Sequence, residues 1–195
     1  MDEKAQTRAL ILDAASKRFS HYGYQKTTMS EIASDLSMST GNLYRFYPSK
    51  LDIAEAYAHF HEADEDQLME EVVARDAPAI DRLRAFASLV LEETFRVIDE
   101  SKKIFELAQA ISRERPAYAN RRLAQERVYL KAMMRDGILE GTLEPSVDLE
   151  VTAEMFQCAT MKFRYPQLHN CLRIDMLRRE LEGTLDLIFS GLSKR

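Results

Sequence analysis

The chain has 195 residues, of which 46% are hydrophobic and 30% charged, with Gly 6, Pro 5 and Cys 2; this is the profile of a helix-rich globular protein long enough to bury a real core. Charges interrupt every apolar run before it reaches membrane-spanning length, and MDEKAQTR lacks the basic-then-apolar order of a secretory signal, so a cytoplasmic location is expected. A net charge of −5 argues against general affinity for nucleic acid, yet residues 1–50 carry an excess of two positive charges and the remainder an excess of seven negative ones.

Period-3.6 patterning dominates and no alternating strand stands out, so the expected class is all-α. The first helix is predicted from Ala5 to His21, with Leu12, Ala15 and Phe19 on one stripe, Lys17 and Arg18 turned outward, and Gly23 as its C-terminal stop. A second opens at Thr28, whose hydroxyl caps the backbone while Glu31, three residues on, completes a capping box. It ends near Leu36; Ser37 and Met38 form a turn, and Ser39 caps a third helix that runs to Tyr47, where Pro48 stops it. Ser49 caps a fourth. Longer helices follow at 52–74, 78–99, 102–113, 117–140, 148–164 and 174–191, roughly nine in total. The expected division is a three-helix head at 1–50 and a larger helical bundle at 51–195.

Two short capped helices around a tight turn are how a helix-turn-helix presents its second helix to the DNA major groove. On that helix, at 100° per residue, Leu43, Phe46 and Tyr47 fall on one side, while Thr40, Gly41, Asn42, Tyr44 and Arg45 spread over the rest. One side packs and the other can meet DNA: hydroxyls, an amide and a guanidinium reach phosphates or base edges, and Gly41 admits close backbone approach. The bland alternative is a polar helix on the surface of an ordinary bundle.

The head resembles the DNA-binding domain of the TetR family of bacterial transcriptional regulators. The resemblance rests on Ile11-Leu12-Asp13-Ala14-Ala15 with Phe19, Gly23-Tyr24, Thr27-Thr28, Ile32-Ala33, Ser39, Gly41, Leu43-Tyr44, Phe46-Tyr47 and Ser49-Lys50. It implies a homodimer that binds a palindromic operator through paired heads, with Thr28 and Lys50 on phosphates and Thr40, Gly41 and Asn42 near bases. Tyr44 would touch the backbone or a thymine methyl, and Ser39, Arg45 and Tyr47 complete the expected DNA-contacting set. Two positions depart from the family pattern. Ser37 stands where Gly is usual, so a left-handed backbone there would cost about 1 kcal/mol more than with Gly. Phe46 precedes Tyr47 where the family tends to have His or Tyr before Phe, which leaves open which ring packs and which meets phosphate.

The resemblance also implies an effector-binding and dimerisation domain over 51–195. Phe86, Phe95, Phe105, Met133, Met134 and Phe156 are the candidate pocket lining, since flexible Met and aromatic side chains suit an apolar ligand; the plainer reading makes them ordinary core. Phe156, Thr160, Phe163, Leu177, Leu181, Leu185 and Ile188, on the last two helices, are the candidate dimer interface, the alternative being that this stripe packs within its own bundle. The connector KFRYPQLHNC, Lys162 to Cys171, borders either pocket or interface.

His59, His61, Glu62, Asp64, Glu65 and Asp66 have metal-ligand chemistry, but no Cys or further His completes a set, so a solvated acidic face is expected and no metal or cofactor. Cys158 and Cys171 match no zinc spacing and are expected to be buried free thiols. No phosphate loop, nucleophile elbow or paired acids supply an enzyme's chemistry. The expected function is a ligand-responsive transcriptional regulator, in this family most often a repressor, with an operator duplex and a small-molecule effector as partners. A regulator of the same fold without an effector, and an all-helical enzyme or interaction module, are the alternatives.

Overall fold

The computed structural model describes residues 3–100, 102–144, 148–165 and 173–192. Among them are ten helices and no strand: α1 (Glu3–Tyr22), α2 (Met29–Asp35), α3 (Thr40–Phe46), α4 (Lys50–Val73), α5 (Ala79–Glu100), α6 (Lys102–Glu114), α7 (Pro116–Leu139), α8 (Leu149–Ala159), α9 (Met161–Arg164) and α10 (Ile174–Leu192). The caps follow the sequence. Gly23 ends α1 at φ +91° with its N–H on the Phe19 carbonyl, and α7 opens on Pro116, whose missing N–H is no loss in a first turn. Asp148 caps α8 through the N–H groups of Glu150 and Val151. The helix expected over 148–164 breaks at Thr160, whose hydroxyl donates to the Phe156 carbonyl at 2.8 Å. Such back-bonding offers the chain an alternative to the helical ladder and bends it.

By packing, the chain divides into two units, residues 1–64 with 97–118, and residues 65–96 with 119–195. The first is larger than the head expected at 1–50, because α6 packs against α1 and contributes Leu107, Ala110 and Ile111 to a core built on Ile11, Phe19, Ile32, Leu43 and Ile53. The second unit closes around Leu83, Phe86, Leu91, Leu130, Met133, Met134, Phe156, Leu181 and Leu185. No helix among the described residues is long and apolar enough to cross a membrane.

Candidate DNA-binding face

The turn between α2 and α3 fixes how α3 is offered to solvent. The Met38 N–H returns to the Ala33 carbonyl at 3.0 Å and the Ser37 N–H to that of Ser34 at 3.0 Å, the bond pattern of a Schellman motif. Ser37 accordingly sits at φ +53°, in the left-handed position that glycine favours. At the start of α2 the Glu31 N–H donates to Thr28 Oγ1 at 3.2 Å and the Thr28 N–H to Glu31 Oε2 at 2.8 Å, closing the capping box. The hydrogen bonds from Thr28 hold the Glu31 carboxyl below its usual range. Ser39 Oγ receives the Asn42 N–H at 3.1 Å and starts α3, and Ser49 Oγ receives that of Asp52 and starts α4.

Three cations tie these helices together. Arg8 of α1 donates to the Phe46 carbonyl at the end of α3, at 2.7 Å, and its guanidinium lies 4.1 Å from the Tyr47 ring centre. Arg18 of α1 donates through Nη2 to Asp35 at 2.8 Å and stands 3.4 Å from Glu31, which braces α2; its guanidinium lowers the Asp35 carboxyl. Lys50 donates to the carbonyls of Tyr24 and Thr27 at 2.6 and 2.7 Å and rests over the Tyr24 ring, where burial disfavours its charged form.

What remains outward is a short polar surface. Gly41, Tyr44 and Arg45 are exposed, with Tyr44 at 49% of its full area, and Thr40 and Asn42 are half-buried beside them. A Cβ added at Gly41 would meet nothing within 4 Å, so the backbone there is open to a close approach. Ser39 and Thr28 are exposed on the same two helix starts. Lys26, in the turn before α2, is exposed and was not singled out from the sequence; only the turn residues around it hinted at its place.

The model of bacterial regulatory proteins of the tetR family matches residues 11–57, which span α1 from its first buried residue to the start of α4. Over these residues the chain has the DNA-binding domain of the TetR family. Its coarse function follows as that of a DNA-binding transcriptional regulator. Over 203 aligned residues it is 23% identical to the fatty acid metabolism regulator protein of Bacillus subtilis (strain 168), covering 100% of each chain. Among solved structures it resembles a transcriptional regulator from Cytophaga hutchinsonii at 21% identity and TM-score 0.70, covering 95% of this chain and 98% of that one. It resembles Thermus thermophilus FadR in complex with lauroyl-CoA at 23% identity and TM-score 0.69, covering 96% of each. These likenesses establish the fold.

Two of the residues expected to contact DNA are engaged in the head's own packing. Tyr47 is 2% exposed and lies beneath Arg8 in the core, so it packs; Phe46 is only half-buried. Lys50 is part-buried and holds the loop before α2 instead of standing free for phosphate, because two carbonyls and a ring already surround its ammonium. Among the described residues, Lys26 and Arg45 are exposed cations near the face.

In the second unit the expected pocket residues separate. Phe86 and Phe156 line a narrow cleft of about 10 Å³ together with Ala87, Val90, Leu130 and Phe163, and its polar wall is Gln157, Thr160 and Arg164. Met133 and Met134 are wholly buried in the core and Phe95 is half-buried against it. Phe105 belongs to the other unit, on α6. The polar wall was invisible in the sequence, since Gln157 and Arg164 face Glu126 of α7 only after folding.

The stripe expected at a dimer interface is instead core. Leu177, Leu181, Leu185, Phe156, Thr160 and Phe163 are all buried within this chain, and Ile188 is half-buried against them. The spacing that aligns them faces α10 inward. Its opposite side exposes Met176 and Leu187, and α8 exposes Val151 and Met155. Cys158 on α8 is exposed, contrary to the buried thiol expected; Cys171 and connector residues 166–172 lie outside the described residues, as does the His61 side chain. The acidic run on α4 is not simply solvated: Glu65 and Asp66 pair with Arg122 of α7, and burial pushes the Glu65 carboxyl up. His59 bonds Glu62 at 2.6 Å.

Proposed function

We propose that the chain is a ligand-responsive repressor that binds a palindromic operator as a homodimer and is released by a largely apolar small molecule. The observation that carries the reading is the outward face of α3, where Tyr44 and Arg45 stand exposed around an open Gly41 while Leu43 and Tyr47 anchor the helix from behind. Thr40, Gly41 and Asn42 approach base edges, and Thr28, Ser39, Tyr44, Arg45 and Lys26 meet the backbone.

A single seven-residue α3 reads few base pairs, so specificity calls for two heads on half-sites about 34–36 Å apart. The second copy docks on the outward face of α8 and α10, where Val151, Met155, Met176 and Leu187 are exposed and Gly183 permits close approach. The effector reading draws on the cleft between α5, α7, α8 and α9, which is apolar on most sides. It draws also on relatives whose names refer to fatty acid metabolism and to a lauroyl-CoA complex. Helices α4, α5 and α7 carry residues of both packing units, so each is a covalent route by which ligand binding can change the spacing of the heads. A coupling of about 1–3 kcal/mol suffices to empty an operator.

Selection of bound sequences from a random duplex pool tests this. A two-fold symmetric consensus with half-sites one helical turn apart is expected; an asymmetric consensus, or none, contradicts it. Addition of the effector then lowers occupancy of the recovered operator, and a protein that no metabolite displaces or stabilises is a regulator without an effector.

A further inference from the structure

Arg82, in the first turn of α5, is a charged side chain only 8% exposed. Its Nη1 donates at 2.9 Å to the carbonyl of Val73, the last residue of α4, and its Nε donates to the Ala77 carbonyl at 3.0 Å. Its Nη2 donates to Asp136 at 2.9 Å and lies 3.6 Å from Glu140, where α7 finishes. Glu140 in turn accepts the N–H of Ala79, the first residue of α5, at 2.9 Å. Carbonyls at a helix C-terminus lack helical partners, so a buried guanidinium satisfies them and is held by them. The flat fork of an arginine is what lets one side chain join three helix ends.

The backbone is drawn close at the same place. A Cβ on Gly137 would stand 2.8 Å from Leu143 Cδ1 and 3.3 Å from the Ala79 Cβ, so glycine lets the end of α7 pack tightly on the start of α5. Ala79 is wholly buried there. Helices α4, α5 and α7 are also the ones whose residues are divided between the two packing units. Arg82 joins all three at their ends in the second unit, where α4 finishes, α5 starts and α7 finishes. A displacement of one of them is therefore shared with the others or breaks a buried charged hydrogen bond.

We propose that Arg82 is a positioning residue for operator binding: it fixes α4, α5 and α7 at one end, so that their opposite parts hold two heads at the operator's spacing. Val73, Ala77, Asp136 and Glu140 all belong to the second unit, so Arg82 acts only through the helices it ties. Half-sites about 34–36 Å apart are read by both heads only while that spacing is kept. Loosening the tie therefore weakens the paired site and blurs its spacing, while each head alone is untouched. The assignment rests on the reading of the chain as a dimer with paired heads and adds the residue on which their spacing depends.

The test uses the full chain and three duplexes: the operator recovered by selection, the same operator with two base pairs inserted between its half-sites, and a single half-site. Arg82→Lys keeps a cation beside Asp136 but loses the fork that reaches the two carbonyls. It is expected to speed amide exchange in residues 68–74 about tenfold while leaving exchange in residues 40–47 unchanged. Affinity for the single half-site is expected to stay the same, and the preference for native over expanded spacing to fall at least about fivefold. Asp136→Ala, which leaves Glu140 to match the guanidinium, is expected to shift both readouts in the same direction by less, and serves if the Lys variant does not fold. A merely structural Arg82 would loosen residues 68–74 and leave the spacing preference as it is. That result overturns the proposal, as does unchanged exchange, or a loss of half-site affinity equal to the loss for the operator. A parent protein with no preference between the two spacings removes the paired-head reading and this assignment with it, whereas a parent preference that Arg82→Lys leaves intact removes the assignment alone.

Discussion

Arg8 offers the sharpest test of how the head is held together. Its guanidinium donates to the Phe46 carbonyl, one of the carbonyls that the end of α3 leaves without a helical partner, and stacks on the Tyr47 ring. A hydrogen bond from a charged donor contributes about 1.5–3 kcal/mol and a partly solvated cation–π contact about 0.5–1 kcal/mol. With Arg8 half-buried, the low ends of these ranges apply, and Arg8→Ala is expected to cost about 2 kcal/mol of local stability. That corresponds to roughly thirtyfold faster amide exchange across α3, since about 1.4 kcal/mol is a factor of ten. Hydrogen-exchange mass spectrometry on a peptide covering residues 40–47 reads it directly. Arg8→Lys, which keeps the charge but loses the flat fork, is expected to restore less than half of the protection. Because Arg8 braces α3 and does not neutralise a phosphate, its removal weakens duplex binding without changing the salt dependence, whereas Arg45→Ala lowers the slope of log affinity against log salt by about one. Exchange within threefold of the parent protein, or a salt slope that falls with Arg8→Ala, refutes the bracing role.

Ser37→Gly relieves the left-handed backbone at φ +53°, a gain of about 1–2 kcal/mol less the extra chain entropy of glycine, so denaturant unfolding is expected to show a net stabilisation of about 0.5–1 kcal/mol; a loss of stability would mean the turn is not strained. The Glu31 and Asp35 carboxyls both lie below their usual range, held there by hydrogen bonds from Thr28 and from Arg18 respectively. Both groups favour the folded state above the ordinary carboxylate range and lose that contribution as pH falls through their lowered values, so protection of α2 should be level from neutral pH to about pH 5 and decline below about pH 4. Glu31→Gln should flatten part of that decline, and an unchanged acid profile counts against the capping box. Leu187→Glu places a charge on a side chain that is 79% exposed in the single chain; sedimentation should show a monomer with intact helicity if α10 carries the dimer contact, and an unchanged dimer places the contact elsewhere.

The head was legible because its signals are local. A capping box, a serine N-cap and a glycine stop each specify backbone within four residues; all three appear, the capping box with the predicted Thr28–Glu31 pair. The helical class followed from periodicity for the same reason. What the sequence did not disclose depends on contacts between distant residues. Lys50 carries the charge of a phosphate anchor, and only folding shows it facing the Tyr24 and Thr27 carbonyls. The stripe of Leu177, Leu181 and Leu185 is a sound amphipathic pattern, but periodicity identifies an apolar face without saying whether its own chain or another covers it. Met133 and Met134 show the same limit, since a core side chain and a pocket lining have the same chemistry. Arg164 and Glu126 are 38 positions apart, and no local pattern joins them.

The central claim is that the exposed side of α3 binds DNA, and Tyr44→Ala tests it most directly. Tyr44 is half-exposed and outside the head's core, so its truncation should leave stability within about 0.5 kcal/mol. Fluorescence anisotropy on the selected operator, with folding checked by circular dichroism, is predicted to show at least a tenfold loss of affinity, in line with the removal of about 1–3 kcal/mol of direct contact. Undiminished binding by a folded Tyr44→Ala protein would contradict the account.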